Sequence, residues 1–292
     1  MVGDRGLAVI STCSLIPVPC LPNRRIIVFT FQLLQRDYRQ MIVNIDNINV
    51  YYEISGQGNM VLLLHGWGVE TSSLRPLIDL LQKSYKVIAL DFPGFGKSET
   101  PKTPWDVGNY STFLGKFMEQ IHLAKADVIA HSFGGRVAIK LAAEKPEMIN
   151  KLILVNGAGI KPRREFKYYF KTFLAKTGKM ASKFMGEPGN KLKKMIYEHI
   201  GSKDFQNAGP MRNTFIKIIN EDLQPLLKSI IAPTLLIWGE NDKETPVYMG
   251  KIMEKEIKDS GLVILKNAGH YSYLDQFQQF CTIVNNFLQA RS

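Results

Sequence analysis

The order of apolar runs in this 292-residue chain predicts an α/β fold: a mostly parallel, eight-stranded sheet flanked by helices, with a helical insertion. Two observations predict the sheet. From Met41 onward, short β-rich apolar runs alternate with stretches of helical period, and each run ends in a turn rich in glycine or polar residues. A third observation predicts the insertion, since residues 158–225 contain no convincing strand.

The elements follow in order. "IVNIDNINVYYEISG" reads as an opening antiparallel hairpin that ends at Gly56 and Gly58. Six strands are then expected in "MVLLLHG", "KVIALDFPG", "ADVIAHS", "KLILVNGAG", "PTLLIWGEND" and "GLVILKNAGH". Leu114, Phe117, Met118 and Ile121 mark one amphipathic helix, and Phe277, Phe280, Ile283 and Phe287 mark the last. His122 and His199 fall inside expected helices. Within the insertion, Phe166, Tyr169, Phe170, Phe173 and Leu174 define a first helix, which breaks at Gly186 and Pro188-Gly189. Leu192, Met195, Ile196 and Ile200 define a second, and Phe215, Ile218, Ile219 and Leu223 a third, up to Pro225. The expected organisation is therefore a non-globular extension over 1–40, a core in two parts over 41–157 and 226–292, and a helical lid over 158–225.

Charge is uneven. Eleven Lys and Arg lie between Lys161 and Lys194 against Glu165 and Glu187, a local net charge of +9 within a chain total of +11. The body is near neutral, so the excess is a property of the lid. No nucleic-acid module accompanies it, and no nucleic-acid partner is expected. A basic outer face over an aromatic inner one instead suits an anionic substrate, an acyl carrier or a membrane surface. Cys13, Cys20 and Cys281 lack metal-ligand company and a bridging framework; they read as free thiols in a reducing compartment, which points to the cytoplasm, with a Cys13–Cys20 bridge as the alternative. No apolar run reaches the roughly 18 residues that span a bilayer. The absence of a P-loop, a dinucleotide fingerprint or a metal-ligand cluster leaves no expected cofactor or metal.

Sites in sheets of this kind form at the carboxyl ends of strands, and the polar residues of interest fall there. Ser132 follows a strand and opens a helix in "VIAHSFGGRV". A nucleophile elbow needs small residues two before and two after the serine, because the turn crowds backbone against backbone. Ala130, Gly134 and Gly135 meet that need; the competing reading is a serine that caps a helix. A serine hydroxyl requires a base, and His270 ends the last strand, although a loop histidine can simply pack. The base requires an acid to set its tautomer. Asp242, three residues past Gly239, is the leading candidate over Glu240 and Glu244, and Asn156 removes the other obvious strand end for an acid. Finally, the turn His65-Gly66-Trp67-Gly68 lets backbone amides face the site, so the amides of Trp67 and Phe133 are assigned to a developing oxyanion. His131, beside Ser132, joins His65, Gly66 and Gly68 as support for the elbow and loop.

With these motifs placed, residues 45–290 resemble the α/β-hydrolase superfamily, in the branch with an H-G-x-G loop, a D-x-P-G-x-G-x-S segment (Asp91 to Ser98) and a helical lid. The order Ser132, Asp242, His270 matches that family. The resemblance implies a serine hydrolase: Ser132 as nucleophile, His270 as base then acid, Asp242 as its orienter, and Trp67 and Phe133 as oxyanion donors. Ala130 departs from the family's glycine. The implied substrate is a small acyl compound, an ester or thioester. A cofactor-free carbon–carbon bond hydrolase and a hydrolase-like receptor or regulator are the alternatives. Ser132 argues against the relatives that use an aspartate nucleophile.

Overall fold

The structure, a computed structural model, describes residues 38–161 and 207–290. Cys13 and Cys20, the extension up to residue 37, and the first two expected lid helices lie outside the described residues.

The described residues form the expected eight-stranded sheet, in the order β1-β2-β4-β3-β5-β6-β7-β8. The strands are β1 (Arg39–Ile45), β2 (Ile48–Ser55), β3 (Met60–Leu64), β4 (Lys86–Leu90), β5 (Ala126–His131), β6 (Ile149–Val155), β7 (Thr234–Gly239) and β8 (Ser260–Leu265). β2 runs antiparallel to β1 and β4, and all other pairs are parallel. The hairpin turns at Asp46-Asn47, both at positive φ, as a two-residue hairpin connection demands. β1 begins at Arg39, two residues before Met41, and the Tyr38 ring centroid lies 4.3 Å from the Arg75 guanidinium carbon.

The α-helices among the described residues are α1 (Arg75–Leu81), α2 (Val107–Gln120), α3 (Phe133–Glu144), α4 (Arg212–Asn220), α5 (Val247–Glu256), α6 (Ser272–Asp275) and α7 (Phe277–Gln289). Alternation of side chains along each strand divides the core in two. Leu62, Leu64, Ile88, Leu90, Val128, Leu152, Leu154 and Trp238 face α2, α3 and α5, where Phe117, Val137 and Met253 are buried. Val61, Leu63, Val87, Ile129, Ile153 and Ile237 face the other way, toward Leu77 and Ile78 of α1 and Phe280 and Val284 of α7. The near-continuous apolar runs of the central strands reflect this burial on both faces.

Three expectations shift. The last helix buries Phe280, Cys281, Val284 and Leu288; Phe277, Ile283 and Phe287 flank that stripe half-buried, because the helix presents the edge of its apolar arc. His122 lies just past α2, in the left-handed region at φ 57°, where it ends the helix rather than continuing it. In the third insertion helix, α4 stops at Asn220, and Leu223 packs from the following turn.

α4 returns the chain to the body. Thr214 Oγ1 accepts from the Trp105 amide (3.1 Å), Lys217 Nζ donates to the Pro104 carbonyl (2.9 Å), and Glu221 Oε2 accepts from the Val107 amide (3.2 Å). These bonds set α4 beside the carboxyl end of the sheet, where the polar residues gather.

Candidate active site

Ser132 sits between β5 and α3 at φ 50°, ψ −111°. A non-glycine residue is strained there. Its side chain makes no capping bond, so the helix-cap reading fails. The strain is held by backbone bonds on both sides: Ser132 N–H donates to the Val155 carbonyl at 3.1 Å, and the Ser132 carbonyl accepts from Gly135 and Ala158. Gly134 is needed because a Cβ there would lie 2.7 Å from the Leu64 carbonyl oxygen and 2.8 Å from that of His65. Ala130 is fully buried among the core side chains and pairs with Leu64 and Leu154; its methyl is core filling, not an obstruction to the turn.

His270, just past β8, brings Nε2 to 2.9 Å from Ser132 Oγ and Nδ1 to 2.9 Å from Asp242 Oδ2. The three residues expected from separate strand ends therefore form one hydrogen-bonded chain. Asp242 is buried, which raises its carboxyl; hydrogen bonds and charge from His270, then Thr245 and Asn156, outweigh burial and hold it at about 2. An ionised carboxylate only accepts, so Nδ1 carries a proton and, in the neutral ring, Nε2 is free to accept from the serine. The competitors take other places. Glu240 Oε2 accepts from the Asn267 amide, and Glu244 Oε2 approaches the Nε2 side of His270 at 3.3 Å from a side chain 62% exposed.

Around Asp242, Thr245 and Ser272 were not singled out from sequence, and Asn156 was read there only as a position without an acid. Asn156, at φ 46° after β6, donates through Nδ2 to Asp242 Oδ2 and accepts from Ser272 Oγ. Asparagine in place of an acid here is thus a donor to the acid that exists. Thr245 Oγ1 lies 2.6 Å from Asp242 Oδ2 and 3.0 Å from the Asn156 carbonyl, with one proton for the two. Amides of Glu244 and Thr245 donate to Asp242 Oδ1 at 2.8 and 3.0 Å, an Asx-type turn that "DKET" could have signalled.

The expected supports are also located. His131 is buried and its imidazolium disfavoured, first by burial and then by His270, to about 3. As a neutral ring it donates from Nε2 to the His270 carbonyl at 2.9 Å and so steadies the backbone that carries the His270 ring. His65, also buried and lowered by that burial, bonds the Gly66 carbonyl through Nδ1 (2.7 Å) and accepts from the Phe92 amide through Nε2 (2.9 Å). It clamps the H-G-W-G turn to the Asp91–Ser98 segment, which explains why a histidine precedes the glycines. That segment is itself braced: Asp91 accepts from the Thr71 and Lys97 amides, and Ser98 Oγ donates to the Asp91 carbonyl. Gly66 packs on His131, Gly135 on Gly157, and Gly68 adopts φ +71°.

Trp67, Ser132 and Phe133 line one cavity of about 470 Å³, together with Arg136, Phe215 and Met249 among others. Trp67 contacts Phe95, Phe133 and Phe215 at ring-centroid distances of 4.8, 5.5 and 4.9 Å. Among the described residues, neither the Trp67 nor the Phe133 amide donates to a backbone carbonyl.

This fold and site define a hydrolase class, and the sequence comparison agrees with them. Residues 59–214 match the family described as alpha/beta hydrolase fold, and residues 220–291 match a model described as TAP-like protein. The chain belongs to the alpha/beta hydrolase family. It is 31% identical to an uncharacterized hydrolase, YugF, of Bacillus subtilis (strain 168), over 77% of this chain and 89% of that one. It is 27% identical to a pimeloyl-[acyl-carrier protein] methyl ester esterase of Legionella pneumophila (strain Paris), over 83% and 100%. Among solved structures, a bacterial membrane phospholipase A superposes with a TM-score of 0.69 at 26% identity, covering 86% of each chain. No helix among the described residues is long and apolar enough to cross a membrane.

Proposed function

We propose that the protein cleaves a carboxylic ester or thioester through an acyl-enzyme. The observation that carries this reading is the continuous chain Ser132 Oγ, His270 Nε2, His270 Nδ1, Asp242 Oδ2, with both links at 2.9 Å. Ser132 Oγ attacks the acyl carbon while its proton passes to His270 Nε2. The Nδ1–H bond to ionised Asp242 stabilises the imidazolium. The oxyanion of the tetrahedral intermediate accepts from the Trp67 and Phe133 amides, which is supported by their place beside Ser132 on the cavity. His270 then protonates the departing alcohol or thiol as the carbon–oxygen or carbon–sulfur bond breaks. A water attacks the acyl-enzyme, giving its proton to His270, which returns one to Ser132 Oγ as the acid leaves. The esterase among the relatives, which acts on a methyl ester, supports the ester class.

Hydrolysis of a panel of p-nitrophenyl acyl esters tests the reading. Wild type should turn over, and Ser132→Ala should lose about 10⁴-fold or more in kcat. Equal rates in the two proteins would remove Ser132 from the mechanism and favour a receptor or regulatory role.

A further inference from the structure

We infer that Arg136 selects esters whose acyl part carries a second, ionised carboxylate. The inference rests on the acyl-enzyme reading above and names the substrate class of that same cavity.

Arg136 is the fourth residue of α3 and lies one turn beyond Ser132. It is only 5% exposed, yet it lines the cavity shared by Ser132 and the proposed oxyanion donors. Its surroundings among the described residues leave most of its hydrogen-bonding capacity unused. Nη1 donates to the Glu221 carbonyl at 2.8 Å, one bond for a group with five N–H donors. Among the described residues no carboxylate lies within ion-pair distance of it. Glu221, whose backbone carbonyl it meets, has its carboxylate committed elsewhere, to Lys140 Nζ at 2.7 Å and the Val107 amide. Asp222 Oδ1 accepts from the Lys161 and Gln224 amides.

The placement is unfavourable twice over. Burying a cation is costly unless a close ion pair offsets it, and the charges of Glu221 and Asp222 act on Arg136 only from beyond ion-pair distance, so burial outweighs them. The first turn of a helix is also the positive end of its dipole, where cations are disfavoured. A side chain that violates two local rules beside a nucleophile is better explained by a ligand than by the fold. That ligand is anionic and arrives with the substrate. A planar guanidinium matches a carboxylate in shape and in its single charge. Phe133, Ile160, Phe215, Ile218 and Met249 supply the apolar wall that a hydrocarbon spacer between the two carbonyl carbons would cover. The acyl part is the portion that remains on Ser132 through both half-reactions, so a carboxylate on it is held throughout. Among the described residues, the other charged groups on the cavity, Lys243 and Glu244, sit on the exposed loop after Asp242.

The test compares mono-p-nitrophenyl esters of adipic and suberic acid with p-nitrophenyl hexanoate and octanoate, which match them in length but end in a methyl group. Wild type should favour the carboxylate-bearing ester in kcat/KM by about 10- to 100-fold, the range expected for one charge-assisted pair. In Arg136→Met that ratio should fall to near one, and Arg136→Lys should keep part of it. A wild-type ratio of one or less overturns the inference, and so does an Arg136→Met protein that loses the same factor on both esters. If Arg136→Met does not fold, the wild-type ratio and Arg136→Lys decide the matter. Absence of hydrolysis of every ester by wild type would instead strike the acyl-enzyme reading itself.

Discussion

Asp242 shows how much of this site is set by single side chains. Its carboxyl titrates near 2, below the ordinary value of 3.8. A depressed folded-state pKa means that the ionised group contributes stability fully above the unfolded value near pH 4, and that this is lost as pH falls toward 2. The contribution is roughly 2 kcal/mol. Urea midpoints measured from pH 6 to pH 2 should therefore fall more steeply for wild type than for Asp242→Asn. Parallel curves would show that the carboxylate is not held down by its partners. Asn156→Ala removes one donor from that carboxylate, and kcat should fall by about tenfold with KM little changed, because only orientation of the base is lost. A change confined to KM would place Asn156 in substrate binding instead. Asp242 could be chosen from sequence because chain order and strand ends singled it out. Asn156 could not, because the sequence shows that a residue is not an acid and is silent on what its amide will face.

At the scale of elements, Lys151 in β6 is the least expected device. The side chain is buried, and its ammonium donates to the Phe287, Leu288 and Ala290 carbonyls at 3.1, 2.9 and 2.5 Å. Those carbonyls belong to the end of α7, so one cation satisfies three acceptors at the negative end of the helix dipole. Lys151→Met should destabilise the protein by about 2 to 4 kcal/mol in urea unfolding while leaving the geometry around Ser132 intact. An unchanged midpoint would mean that water replaces the lysine. The strands around it were legible because apolar runs of five to seven residues between glycine-rich turns have few other solutions. The last helix was legible in extent but not in orientation. Phe277, Phe280, Ile283 and Phe287 satisfy helical period, and so do Phe280, Cys281, Val284 and Leu288. Only the position of the sheet decides which arc is covered.

Across the whole molecule, eleven of the chain's 37 Lys and Arg fall within residues 161–194, a basic block in an otherwise near-neutral protein. Long-range attraction of this kind is screened over roughly 8 to 10 Å at physiological salt. If the block steers anionic esters to the cavity, kcat/KM for mono-p-nitrophenyl adipate should fall several-fold as salt rises from about 0.01 to about 0.5 M, while p-nitrophenyl hexanoate stays level. Identical salt profiles would remove steering as its role. Residue types and their order were enough to read an α/β sheet, its family and three candidate side chains past strand ends, because alternation, turn chemistry and chain order are local or one-dimensional properties. Distances across the sheet are not. The closure of Ser132, His270 and Asp242 into one chain, the donors gathered on Asp242, and the burial of Arg136 against the Glu221 carbonyl all join residues up to 138 positions apart. Those relations were decided by the packing of α3, β6, β7 and the α4 return, since only folding determines which charges lose water and which groups meet.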